Sequence, residues 1–105
     1  MKAMIQRIYP NKGSDLIFQI VFIQDVDDFN LTFFTDNSSS GITKSKTDLK
    51  EDNLIKIEAS ELATLNEGLL KCYMEIKTSD SDFQDGYYNE IQEMDTNYYL
   101  KKNGI

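Results

Sequence analysis

The chain has 105 residues and a formal net charge of −7, from 18 acidic and 11 basic side chains, with one cysteine and no histidine. That length is enough for one hydrophobic core, so residues 1–105 are read as a single domain. The acidity argues against a general binder of phosphate backbones or of anionic membranes, since both need clustered Lys and Arg, and the missing histidine excludes every catalytic dyad or triad built on one.

The N-terminal residues carry Lys2 and Arg7 and no long apolar run. This fits neither a secretory signal nor a membrane span, and a cytosol-like setting, or a particle assembled in one, is expected. Residues 3–9 are expected to form an edge strand. Pro10 then lies in Y-P-N-K-G, a turn. Residues 15–23 are apolar on both faces: Leu16, Phe18, Ile20 and Phe22 on one, Ile17, Val21 and Ile23 on the other. Such a strand is covered on both sides or sits in a subunit contact.

After an acidic turn at residues 24–28, Phe29, Leu31 and Phe33 alternate with Asn30 and Thr32, the signature of a half-buried strand. D-N-S-S-S-G at residues 36–41 reads as a hairpin tip, residues 42–49 as a polar edge strand and residues 50–53 as a turn. Ile55 and Ile57 mark a short inward-facing strand. Ser60 is expected to cap a helical turn, with Glu61 placed well for its dipole and Gly68 ending it. Leu70, Cys72, Met74 and Ile76 then alternate with Lys71, Tyr73, Glu75 and Lys77, the clearest strand pattern in the chain. Residues 87–94 and 97–102 complete the set as two tyrosine-rich strands. Seven or eight short strands separated by turns predict an all-β antiparallel sandwich.

Few residue groups suggest chemistry. Cys72 falls on an apolar strand face, where a buried structural thiol is expected rather than a nucleophile. A lone cysteine forms no intrachain disulfide, and no cofactor is implied. Asp80, Asp82 and Asp85 sit in a loop ending at Gly86. The EF-hand register fails there, because position six is Asp85 and position twelve is Ile91. A solvated turn is the preferred reading and an irregular calcium site the alternative. Asp25, Asp27 and Asp28, with Asp36 one strand away, are read as solvated turns rather than glycosidase carboxylates, since no apolar pocket surrounds them.

Tyr87, Tyr88, Tyr98 and Tyr99 come as two pairs. In each pair one ring should face the core and the other solvent. Outward rings either pack across strands or present a platform for a sugar ring or a protein. The two-faced strand, through Leu16 and Phe18, and the four tyrosines are therefore the interface candidates. A carbohydrate-binding or calcium-dependent module is the rival function, and an acidic mimic of nucleic acid is disfavoured because the charge is scattered through turns.

The order of these features resembles a family. D-F-N-L-T-F-F-T-D (residues 28–36), G-I-T-K-S-K-T-D-L (41–49), N-L-I-K-I-E-A-S-E-L-A-T-L-N-E-G-L-L-K (53–71), S-D-S-D-F-Q-D-G-Y-Y (79–88) and D-T-N-Y-Y-L (95–100) follow one another in this order, and the likeness in order and character of segments extends over about three quarters of the chain. Together they resemble the small immunoglobulin-like β-sandwich domains at the N-termini of phage baseplate upper proteins, and related fibre and accessory domains of phage virions. Such proteins usually continue into helical or receptor-binding regions, whereas here residue 105 follows the last strand closely. The resemblance thus implies a stand-alone structural protein of a virion, an adaptor or fibre component at the head or tail. Its expected partners are other virion proteins and further copies of itself, with no nucleic acid, no membrane and no catalysis.

Overall fold

The computed structural model describes residues 2–8, 15–38, 40–84 and 86–101. The expected turn at Pro10, and Asp85 of the acidic loop, lie outside the described residues. Among the described residues seven strands form two antiparallel sheets, so the all-β sandwich is the observed architecture. Strands β1 (Ala3–Arg7), β2 (Leu16–Phe22) and β5 (Leu54–Ile57) make one sheet in the order β1-β2-β5. Strands β3 (Asp28–Phe34), β4 (Ile42–Ser45), β6 (Gly68–Ser79) and β7 (Tyr87–Leu100) make the other in the order β4-β3-β6-β7. The only α-helical turn among the described residues, α1 (Ala59–Leu62), links β5 to β6.

The period-two pattern of the sequence maps directly onto the core. Leu16, Phe18 and Ile20 of β2 face Phe29, Leu31 and Phe33 of β3 and Leu70, Cys72, Met74 and Ile76 of β6, and all are buried. Across the layers Phe18 and Phe33 stack with ring centroids 5.6 Å apart, and Phe22 meets Phe29 at 5.5 Å. Aromatic pairs at this separation add to what burial alone supplies. The second face of β2 is half-covered. Ile17, Gln19 and Val21 are partly buried there, and the Gln19 amide donates to the Asp52 carbonyl at 3.1 Å.

Three elements differ from the sequence-based expectation. The polar edge strand stops at Ser45, because the Asp48 carboxylate accepts the Ser45 N–H at 2.7 Å and draws residues Lys46–Asp48 into a 3-10 turn. Ser60 lies inside the helical turn instead of capping it. The turn starts from Glu58 at the N-cap position, where the Glu61 carboxylate accepts the Glu58 N–H at 3.0 Å and the Asp15 carboxylate accepts the Ala59 N–H at 2.8 Å, so two of the free donors at the helix start are satisfied without Ser60. The turn ends at Ala63, and Gly68 opens β6 rather than closing the helix.

The third difference is in β7. It is one strand of 14 residues, where a break at residues 95–96 was expected. Leu70 pairs with Tyr98 and Lys71 with Asp95, so Thr96 and Asn97 form a bulge. Asn97 takes a φ of 55° there. Thr96 is buried and donates its hydroxyl to the Leu70 carbonyl. The bulge keeps both halves of the strand on one partner while shifting its register.

Candidate functional site

The pairing partners set which side chains reach solvent. β6 and β7 are far longer than the strands of the opposite sheet: 14 residues at ~3.4 Å each span roughly 48 Å, against five or seven residues for β1 and β2. The long hairpin therefore has a covered middle and a less covered distal end. At that end Lys2 takes the place of core. Its backbone N–H donates to Gln92 Oε1 at 2.8 Å, its ammonium lies 2.7 Å from Glu90 and 3.1 Å from the Thr78 hydroxyl, and it sits 5.6 Å from the Tyr88 ring centroid. The Gln92 amide also donates to the Ala3 carbonyl. One residue thus fastens the edge of the small sheet to the edge of the large one.

This overhang changes the disposition of the tyrosines. Tyr87 and Tyr88 are both exposed, at 38% and 40%, because among the described residues no strand of the smaller sheet covers that end. The expectation of one inward ring fails for this pair. Tyr88 lies 5.3 Å from the exposed Phe83 of the loop, and the Lys77 ammonium sits 4.5 Å from the Tyr87 ring centroid. With a lysine against one face of each tyrosine, stacking on a flat sugar ring has only the opposite faces to use. For the second pair the expectation holds. Tyr98 packs against the core, with the Arg7 guanidinium 4.5 Å from its ring, and Tyr99 is 58% exposed.

Leu16 and Phe18 require a correction. Both are buried in the sandwich, at 1% and 0% exposure, so they cannot serve as contact residues in this fold. Their strand is apolar because it fills the centre of the smaller sheet. The surface that sequence reasoning missed is the outward face of the larger sheet. Leu69 pairs with Tyr99 there, and Phe34 meets Tyr73 edge-on at 5.7 Å. Leu69 and Ile91 are 44% and 69% exposed. The signal was present: odd positions of β6 begin with Leu69, which strict alternation places opposite Leu70, outside the core.

The ionisable groups do structural work. Cys72 is buried, and desolvation pushes its thiol from 9.0 up to about 12, which removes nucleophilic character at neutral pH. Asp27 accepts the backbone N–H and hydroxyl bonds of Ser79, and with Lys46 nearby its carboxyl is held below the usual range. In the acidic loop Asp80 Oδ1 accepts the Asp82 N–H at 3.0 Å, a local turn bond. Among the described residues no three His, Cys, Asp or Glu side chains gather as a metal site, and no helix is long and apolar enough to cross a membrane. No family model matches the chain, and neither a curated protein nor a solved structure matches it.

Proposed function

We propose that the protein is a structural subunit of a bacteriophage particle, an adaptor or fibre component at the head or tail, and that it acts by packing rather than by catalysis. The observation that carries this reading is the set of exposed apolar and aromatic side chains displayed on one long hairpin. Leu69 and Tyr99 stand at its proximal end, Ile91 along its face, and Phe83, Tyr87 and Tyr88 at its tip. Exposed aromatics on a fixed scaffold suit protein contacts, where Tyr is enriched among the residues that dominate binding.

The phage attribution rests on the order of segments described above. An immunoglobulin-like identity for the sandwich is part of the same proposal. It is supported by a three-stranded β1-β2-β5 sheet facing a β4-β3-β6-β7 sheet, the arrangement obtained by moving the fourth strand of such folds from the edge of the ABED sheet to the edge of the CFG sheet. Other virion proteins are the partners, with further copies meeting through the hairpin tip. The protein is made in the host cytoplasm and resides in the virion.

The test is to purify particles from an infected culture by density gradient and probe the fractions by mass spectrometry. The chain is expected at constant stoichiometry in the particle band. Its recovery only from the soluble host fraction contradicts the proposal.

A further inference from the structure

We propose that the groove beside Phe34 and Leu69, on the outward face of the larger sheet, docks an extended basic segment of a different protein. This deepens the packing role above and rests on it. The groove holds about 550 Å³, within the ~300–1,000 Å³ typical of ligand pockets. Its apolar walls are Phe34 and Leu69, and Tyr99 stands across the strand pair from Leu69. Its polar lining is unbalanced: Asp36, Glu93 and Asp95 stand against Lys71, whose ammonium is already held by Asp36 at 2.8 Å.

The same imbalance runs along the face. The outward positions of β3, β6 and β7 carry Asp28, Glu75, Glu93 and Asp95 but only Lys71 and Lys77. An isologous contact would set this acidic surface against itself, so a second copy is the wrong occupant. A cationic segment is the complementary one. The row of Lys71 and Asp95 lies four residues from the row of Glu75 and Ile91, or roughly 13 Å along the strand. An extended segment with cations four residues apart, and an apolar residue between them on the same side, matches that spacing.

The groove is also fixed before binding. The Asn66 N–H donates to the Ser38 hydroxyl at 2.8 Å, the Thr35 hydroxyl donates to the Asn66 carbonyl at 2.9 Å, and the Asn37 amide donates to the Glu67 carbonyl at 3.3 Å. These bonds staple the turn after β3 to the segment entering β6, so little ordering entropy is lost on docking.

The test is an amide NMR titration of the full chain with two peptides, Lys-Thr-Leu-Thr-Lys-Thr-Leu-Thr-Lys and the same sequence with Glu in place of Lys. The basic peptide is expected to shift Phe34, Leu69, Lys71, Glu93 and Asp95, with affinity falling about tenfold between about 50 and about 300 mM salt. The acidic peptide should shift none of them. Leu69→Ser, which alters no charge, and Glu93→Lys/Asp95→Lys should each weaken binding about tenfold or more. Should the charge variant misfold, Leu69→Ser decides alone. Shifts spread evenly over all acidic surfaces, equal binding of both peptides, or full affinity in Leu69→Ser would overturn the proposal. Absence of the wild-type chain from purified particles would sink the particle role only, and unmoved groove amides would sink the docking role only.

Discussion

The two faces of β6 are built from different residues. Leu70, Cys72, Met74 and Ile76 point inward and are almost fully buried, packed under β2. Leu69, Lys71, Tyr73 and Glu75 point outward, mixing apolar surface with charge. One strand thus carries both the fold and the candidate contact surface, separated by the thickness of a backbone. A substitution on one face should cost stability, and one on the other should cost binding.

The largest expected effect lies at the centre of the inner side. Phe18→Ala or Phe33→Ala removes half of the stack that joins the two sheets, and should lower unfolding free energy by about 3–5 kcal/mol in urea titrations. A loss under about 1 kcal/mol would mean the layers are not held there.

Lys2→Met comes next. It keeps the aliphatic stem but removes the ammonium from Glu90 and Thr78, and should cost about 1–2 kcal/mol while speeding amide exchange in the first half of β7. Unchanged exchange would show that the two sheet edges do not depend on this fastening.

Cys72 marks the inner face by its titration. The folded thiol is held up to about 12 against an ordinary 9.0, so the unfolded chain loses its proton first. This contribution to stability is whole below pH 9.0, then falls as pH rises toward about 12. Alkylation at pH 8 should accordingly be far slower in the native protein than in urea. Equal rates would place the thiol outside the core.

The smallest effect on stability belongs to the outer face. Leu69→Ser and Tyr99→Ser should each leave unfolding free energy within about 0.5 kcal/mol of wild type. A larger loss would mean that this face belongs to the fold.

The inner face was the part of the molecule most legible in the sequence, because strict alternation from Leu70 to Ile76 and from Phe29 to Phe33 has one physical solution. The two-faced strand at Leu16 and Phe18 was legible as a strand but ambiguous in use, since burial in a core and burial in a contact demand the same residues. The break expected near Asn97 was misleading. Asp-Thr-Asn favours a turn locally, yet pairing with β6 on both sides held the strand together and turned the break into a bulge. Ser60 failed as a cap because the turn starts from Glu58, with Asp15, distant in sequence, accepting the Ala59 N–H and Glu61 that of Glu58. The exposure of Tyr88 depended on the unequal lengths of the two sheets, a tertiary property that no local pattern contains.

The most direct test of this division is particle association of the wild-type chain and of Leu69→Ser/Tyr99→Ser, each carrying the same tag, with unfolding curves measured in parallel. The wild-type chain should travel with purified particles and the double variant should remain soluble, while their unfolding midpoints coincide. Equal association of both proteins, or a variant that unfolds before it fails to associate, would contradict the account.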